Sequence, residues 1–293
     1  MNKINKTNQK IKVMSTSTSC LDYYSKTNTN IDLIRIKIYI DNKEYIDGKT
    51  IKADEFYNMM NANNKLVIKT SQPSVGELID YFENLVQQGY KKIFITTISK
   101  KLSGSYNAIC QAKKQLNDKI EIIPYNTDTV CFSEGYFALE TQRLLDEGST
   151  LTEVIEHLDF LKKNNTIFFV VKSLTQLIKN GRLTKKKGFI GRLLRINPIL
   201  QVNENGEIVL IGKKFTIDSS FTYILEKIKK YTMNKKFLIH ILTTGNPHLK
   251  TKFKTFLEKE LNLNNILEIP SSPAIGAHVG NDVLGVGIIL LKS

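Results

Sequence analysis

Residues 66–89 read LVIKTSQPSVGELIDYFENLVQQG, and this stretch decides the fold class because it passes from a strand into a helix. The apolar, β-branched run 66–70 predicts a strand, and the apolar spacing over residues 75–88 predicts an amphipathic helix. Ser74 followed by Glu77 is a capping box at the start of that helix, and Gly89 ends it. The polar loop Ser71-Gln72-Pro73, which follows Thr70 at the end of the strand, therefore joins the strand to the helix.

The same order of elements follows at once in residues 92–116, KIFITTISKKLSGSYNAICQAKKQL. Residues 92–96 predict a strand, and residues 105–116 predict a helix that begins after Ser103-Gly104. If both strands lie in one parallel sheet, both loops lie at the carboxyl ends of strands, where α/β folds bind ligands. The sequence therefore predicts an α/β fold with a ligand site at these two loops.

The remainder of the chain continues the alternation of strands and helices. It contains a hairpin signal, Asn205-Gly206 between apolar runs at 198–202 and 207–210. Further strands are predicted at 121–124, 166–171, 237–242 and 283–290, and further helices at 133–147, 152–163, 173–180 and 247–261. A polar tail at 1–10 and a composition break at 162–165 predict two α/β domains, 11–163 and 164–293.

Composition narrows the class of protein. The chain has 41% hydrophobic residues and a mean hydropathy of −0.20, and no apolar run approaches the roughly 20 residues that span a membrane. The polar N-terminus does not resemble a secretory signal, and three cysteines without metal-binding spacing predict reduced thiols in the cytoplasm. The net charge of +14 comes from scattered lysines without an Arg-rich arm, which argues against nucleic-acid binding. We expect neither a metal nor a cofactor.

Four segments carry the candidate functional residues. The hydroxyls of residues 70–74 can cap a helix or face a ligand, and Ser-Gly within 102–105 offers either an N-cap or an anion site. Residues 181–187, GRLTKKK, are typical of a helix end followed by a solvated basic loop. Within 275–280, IGAHVG, a lone histidine is usually structural.

Taken together and in order, these segments resemble the DegV family of two-domain α/β proteins that bind fatty acids. The resemblance extends from residue 11 to residue 291 and rests on TSQPS at 70–74, LSGSY at 102–106, GRLTK at 181–185 and GAHVG at 276–280. It implies a parallel-sheet N-terminal domain, an α/β C-terminal domain and a ligand tunnel between them.

The resemblance also implies roles for individual residues. Thr70 and Ser103 are expected to hydrogen-bond the fatty-acid carboxylate, with His278 close to the same head group. Arg182 is expected at the head-group end of the cleft or on its partner-facing rim. The expected ligand-binding set is completed by Ser71, Gly104, Ser99 and Ser17.

In bacteria, such proteins are similar to the binding subunit of a fatty acid kinase. The resemblance implies that a separate kinase phosphorylates the bound carboxylate and that the acyl-phosphate passes to an acyltransferase of phospholipid synthesis. Arg182 and part of the run 185–187 are expected to contact that kinase or the acyl-phosphate. The chain itself would be a cytoplasmic lipid carrier with at most transient membrane contact.

Two positions depart from the family pattern. Thr16 stands where the family usually has an aspartate at the end of the first strand, and Asn281-Asp282 replaces a proline-glycine pair. An alternative function is a serine-dependent acyl hydrolase that uses Ser103 and His278. Against this alternative, no Gly-x-Ser-x-Gly elbow surrounds Ser103 and no acid that would orient His278 is evident. The chain also has no phosphate-binding loop of the Gly-x-x-x-x-Gly-Lys-Ser/Thr type.

Overall fold

The computed structural model describes residues 10–25, 30–63, 65–183 and 196–292. The predicted tail, apart from Lys10, lies outside the described residues. So do Thr184 and the basic run 185–187, which means that the prediction of a partner contact by this run is not addressed by the fold.

The strands, numbered in chain order, are β1 (Ile11–Thr16), β2 (Asp32–Ile34), β3 (Lys37–Ile40), β4 (Lys43–Ile46), β5 (Ile68–Ser71), β6 (Lys92–Thr97), β7 (Glu121–Asn126), β8 (Asn165–Val170), β9 (Asn197–Val202), β10 (Ile208–Lys214), β11 (Phe237–Thr243), β12 (Leu267–Pro270) and β13 (Leu284–Leu290). The helices are α1 (Ala53–Ala62), α2 (Val75–Gln87), α3 (Ser105–Gln115), α4 (Phe132–Asp146), α5 (Leu151–Lys163), α6 (Thr175–Lys179), α7 (Ile217–Thr232), α8 (Pro247–Leu261) and α9 (Pro273–Val279). Two single-turn helices, Ser17–Ser19 and Leu21–Tyr23, follow β1.

A parallel sheet of order β2-β1-β6-β7 forms the first region. Its middle strands are buried on both faces, which is why β6 reads as an almost continuous apolar run. One face packs against α2 and α3 through a core that includes Met14, Phe82 and Ile95. The other face packs against α4 and α5 through Phe94 and Phe137. The predicted helices at 75–88 and 105–116 are confirmed to within one residue.

The prediction that the strand before Thr70 could share a parallel sheet with β6 is wrong. β5 pairs antiparallel with β3 in a separate three-stranded sheet of order β4-β3-β5. The burial of the two strands shows the physical reason. β5 alternates between half-buried and exposed residues, as a strand with one solvated face does, whereas β6 is buried on both faces.

A six-stranded mixed sheet of order β10-β9-β8-β13-β11-β12 forms the second region. Its strands are antiparallel neighbours except for the parallel pair β11 and β12. Helices α7 and α8 cover one face through a core containing Phe221, Ile241 and Phe253. The predicted hairpin is confirmed as β9 and β10, with Gly206 at a positive φ of 71° in the turn.

Helix α9 returns from the second region to the three-stranded sheet. It packs against α1, β3 and β5, and its Ala274 and Ala277 are buried with Phe56 and Ile38. Small residues on α9 allow this approach, because a Cβ at Gly276 would lie 2.7 Å from the ring of Tyr57. The helix thereby carries the C-terminal His278 to a strand more than two hundred residues earlier in the chain.

Among the described residues, none of the helices is both long enough and apolar enough to cross a membrane.

Candidate functional site

An apolar cavity lies between the loop after β6, the start of α4 and one face of the six-stranded sheet. It contains about 630 Å³ of empty space, including the part that opens to solvent. Its apolar wall includes Ile98, Leu102, Val130, Phe169, Leu242 and Val283. These side chains come from both regions of the molecule, so the cavity requires the complete fold.

Thr70 pairs with His278, which lines this cavity, although Thr70 itself is not among the lining residues. The Thr70 Oγ1 and His278 Nε2 atoms are 2.7 Å apart, and His278 lines the cavity. Thr70 is the third residue of β5 and His278 lies in the last turn of α9. The structure therefore brings together two of the residues that the sequence predicted to meet at a head group.

In either tautomer of neutral His278, the Thr70–His278 pair retains one hydrogen-bond donor that the pair itself does not use. Burial and then the nearby charge of Arg182 lower the pKa of His278 to about 4, so the ring is neutral at pH 7. With the proton on Nε2, His278 donates to Thr70 and the Thr70 hydroxyl remains free to donate. With the proton on Nδ1, the free donor is Nδ1–H, which is buried without a partner in the described part of the chain.

Arg182 supplies a positive charge to the same cavity wall. Its Nε donates to the carbonyl of Leu102 at 3.2 Å, and its Nη1 donates to the carbonyl of Asn180. The first bond joins the segment after α6 to the loop that contains Ser103. The side chain is therefore fixed by backbone carbonyls, and it has no carboxylate partner among the ion pairs of the described residues.

Ser103 lies next to the cavity-lining Leu102, but its hydroxyl has local partners. Its Oγ lies 3.0 Å from the Oγ of Ser105 and accepts a 3.3 Å hydrogen bond from the Ser105 N–H. The N-cap residue of α3 is Gly104, without a side-chain cap, so the N-capping by Ser103 that the sequence also allowed is not observed. Either hydroxyl of this pair can be the donor; when Ser105 donates, the proton of Ser103 is free to bind a ligand.

Ser71 and Gly104 face a second, polar pocket beside the first loop. This pocket is lined by residues of the 71–77 segment and by Gly104, Asn107 and Gln111. The absence of a side chain at Gly104 lets the Gln72 amide lie directly over it, so the two predicted loops touch here. Ser71 itself is exposed, and its hydroxyl bonds the Gln72 carbonyl at 3.0 Å.

Ser99 and Ser17 are buried, and neither lines the cavity. The Ser99 hydroxyl donates to the Gly206 carbonyl at 2.8 Å and so ties the loop after β6 to the β9–β10 hairpin. The Ser17 hydroxyl accepts the Ile36 N–H at 3.1 Å. Their observed contacts support the scaffold around the site, and a ligand contact at either position stays a prediction.

The two departures from the family pattern have definite surroundings. Thr16 donates a 2.5 Å hydrogen bond to the carboxyl group of Glu134, which Thr18 and Ser15 also bind at 2.7 and 3.3 Å. Burial raises the pKa of Glu134 to about 8, against the lowering effect of these hydroxyls. Asn281-Asp282 bonds to side chains outside the cavity lining, those of Asn61 and Asn246.

Sequence reasoning missed Glu134 and most of the apolar cavity wall. The available signal for Glu134 was an acidic residue within the apolar stretch CFSEGYFAL at residues 131–139. The wall could not be identified in this way, because its residues are ordinary core residues in type. Only the relative placement of the four-stranded and six-stranded sheets determines which of these residues line the cavity and which pack inside the core.

The hydrolase alternative is not assembled in this geometry. His278 Nε2 pairs with Thr70, and Ser103 Oγ pairs with Ser105. His278 Nδ1, which an orienting acid would have to bind, has no partner in the described part of the chain. Among the same residues, no group of three His, Cys, Asp or Glu side chains is placed to bind a metal ion.

Comparisons with known proteins agree with this architecture. A family model described as an uncharacterised protein of the DegV family matches residues 10–291. The chain is 31% identical over 285 residues to the DegV domain-containing protein SA1258 of Staphylococcus aureus strain N315. That match covers 96% of this chain and 98% of the relative.

Two solved structures show the same fold over nearly the whole chain. One is the fatty acid binding DegV family protein SAG1342 from Streptococcus agalactiae, with 25% identity, a TM-score of 0.87 and coverage of 97% of this chain and 100% of that chain. The other is a stearic acid-binding protein from Eubacterium ventriosum, with 25% identity, a TM-score of 0.85 and coverage of 96% and 98%. Because the family model matches residues 10–291 and the relative from Staphylococcus aureus is 31% identical over 96% of this chain, the chain belongs to the DegV family.

Proposed function

We propose that this protein binds one long-chain fatty acid, with the acyl chain in the apolar cavity and the carboxylate at the Thr70–His278 pair. The observation that carries the proposal is an apolar cavity whose polar end holds a free hydrogen-bond donor and a fixed positive charge. The fatty-acid-binding members of the family with the same fold support the class of ligand.

Burial of the acyl chain would provide most of the affinity. A saturated chain with about 14 methylenes gains about 0.8 kcal/mol for each that is buried, or roughly 11 kcal/mol before costs. Ordering of the chain and association remove much of this gain. The cavity wall can accept such a chain because nearly all of its lining is aliphatic or aromatic.

The carboxylate needs partners, because an unpaired charge in an apolar site costs several kcal/mol. A hydroxyl from Thr70 and one from Ser103 would each contribute about 1.5–3 kcal/mol as hydrogen bonds to a charged group. Arg182 adds favourable charge at the same wall while its guanidinium stays bound to backbone carbonyls. Hydroxyl donors hold the carboxylate yet leave its oxygens approachable.

Native mass spectrometry of the purified protein tests this proposal directly. We expect one fatty acid per chain after expression in bacteria, and extraction should identify its length. Protein that is repeatedly free of lipid, and that also fails to take up oleate or palmitate, would contradict the proposal.

We further propose that the bound acid is presented to a separate kinase, and that the acyl-phosphate passes to an acyltransferase of phospholipid synthesis in the cytoplasm. Arg182 lines the cavity, and we expect it to contact either the head group or that partner. Replacing Arg182 by Glu should reduce phosphorylation, and comparison with lipid content separates the two effects. Normal phosphorylation by the reversed variant would rule out both roles for Arg182.

A further inference from the structure

Two of the three cysteines belong to the buried apolar cluster around the cavity. Cys131 lines the cavity, whereas Cys20 is not among the lining residues. Burial and then the neighbouring Cys131 raise the pKa of Cys20, so the two side chains interact. The third cysteine, Cys110, is half-buried on α3 and does not line the cavity.

A close backbone contact holds the two cysteine segments together. Gly135 lies one turn after Cys131 in α4, and a Cβ at this position would lie only 2.7 Å from the carbonyl oxygen of Ser19. Cys20 and Cys131 both adopt positive φ, 59° and 58°, which glycine or asparagine usually occupies. Both cysteines therefore have a strained backbone conformation in the region where their two segments meet.

The two thiols have different surroundings. Cys131 is the N-cap residue of the fifteen-residue helix α4, and it lines the cavity. Cys20 is fully buried, and burial raises its pKa well above the usual value. Its Sγ donates to the Thr18 carbonyl and accepts the Ser272 N–H, both at 3.4 Å. A ligand in the cavity can therefore reach the Cys131 sulfur as a nucleophile. The Cys20 thiol is enclosed by protein and stays protonated.

We propose that Cys131 and Cys20 form a redox-active pair that reduces a fatty-acid hydroperoxide bound in the cavity. This inference rests on the proposed function, because the apolar ligand itself carries the oxidant to a thiol that water reaches poorly. The cavity wall selects for the acyl chain, and Cys131 is the nucleophile that lies along it.

The reaction has two steps. The Cys131 sulfur attacks the terminal oxygen of the hydroperoxide, the O–O bond breaks, and the remaining alkoxide takes up a proton to become a hydroxy fatty acid. This leaves a sulfenic acid on Cys131. The Cys20 sulfur then attacks the Cys131 sulfur, a disulfide forms and water leaves. The two thiols are oxidised by two electrons in total, and the peroxide bond is reduced by the same two.

The test uses linoleic acid hydroperoxide with the full-length protein, stripped of lipid. We expect one hydroperoxide to be converted to the hydroxy acid per chain, loss of the two thiol hydrogens in intact mass, and a Cys20–Cys131 disulfide in the peptide map. The reaction should be at least about tenfold faster than with hydrogen peroxide at equal concentration, because the apolar chain concentrates the oxidant in the cavity.

Three variants and one binding control decide the outcome. Cys20→Ser should leave a sulfenic acid on Cys131 that dimedone traps, Cys131→Ser should abolish conversion, and Cys110→Ser should react as the wild type does. Oleate uptake is measured on the same samples. Wild-type protein that binds oleate but leaves the hydroperoxide intact overturns this inference and leaves fatty-acid binding standing. Protein that takes up neither ligand overturns both.

Discussion

Two clusters in the chain each combine a titratable group with at least one threonine hydroxyl, and they are opposite in character. At the cavity, Thr70 meets His278, and one donor of the pair remains without a partner. Behind β1, Thr16 and Thr18 surround the carboxyl group of Glu134, and all of these groups are buried and hydrogen-bonded to one another. A short Ser/Thr sequence can therefore form either a site with a free hydrogen-bond donor or a buried cluster in which every hydroxyl has a partner.

The difference shows how a binding group is distinguished from a structural one. A hydroxyl whose donors and acceptors are all engaged stabilises the fold, and its loss should appear in the free energy of unfolding. A hydroxyl that retains an unused donor beside a cavity can bind a ligand, and its loss should appear in affinity. The same substitution in the two clusters should therefore change stability in one cluster and ligand affinity in the other, and the two results can be compared.

The largest expected effect is at Glu134. Glu134→Leu removes the common partner of three buried hydroxyls, so we expect the free energy of unfolding to fall by about 3–5 kcal/mol. Chemical denaturation measures this loss. A loss below about 1 kcal/mol would mean that the cluster is not a structural centre.

The next effect compares the same substitution in both clusters. Thr16→Val should lower the free energy of unfolding by about 1–3 kcal/mol because a buried carboxyl loses its shortest hydrogen bond. Thr70→Val should lower it by less than about 1 kcal/mol because Thr70 is only half-buried. Equal losses of stability at the two positions would remove the distinction drawn between the clusters.

A smaller effect depends on pH. The pKa of Glu134 is about 8 in the folded chain and 4.5 as the ordinary value, so the folded state retains a proton that the unfolded state has lost. Stability from this group is present at low pH and falls as the pH rises towards 8. Asp47, with its pKa raised by burial to about 6, and the buried His240, with its pKa lowered by burial to about 3, act on stability at lower pH.

Between pH 6.5 and 8, Glu134 should therefore account for a loss of roughly 1.5 kcal/mol. Glu134→Gln keeps the size of the neutral side chain and cannot ionise, so its stability should be flatter across this interval. The measurement is denaturation of both proteins at several pH values. Parallel curves for the two proteins would show that Glu134 does not titrate in this interval.

Local sequence signals predicted the elements well where caps mark them. The capping box of Ser74 and Glu77 is present, and α8 begins and ends at the predicted residues 247 and 261. The sheet that contains β5 was not predictable in this way, because the pairing of β5 with β3 depends on partners outside the local run. Register and strand order are tertiary properties, and a short apolar run fits several of them.

The site was predictable only in part. Thr70 and His278 were named from the family resemblance, and the structure places them 2.7 Å apart, although no local pattern links residues so distant in the chain. Glu134 was missed because its partners lie on β1 and the turn after it, more than a hundred residues earlier. Long-range pairings of this kind become visible only when the fold brings the elements together.

The central claim is that the Thr70 end of the cavity recognises a carboxylate. The most direct test is the ratio of affinities for palmitic acid and for its methyl ester, measured on the wild type, Thr70→Val, Ser103→Ala and the matched control Thr16→Val. We expect the ratio to fall about fivefold to tenfold in each of the first two variants, because a charged group loses one donor, and to stay unchanged in the control. An equal weakening of acid and ester in Thr70→Val, or an unchanged ratio in both cavity variants, would contradict the claim.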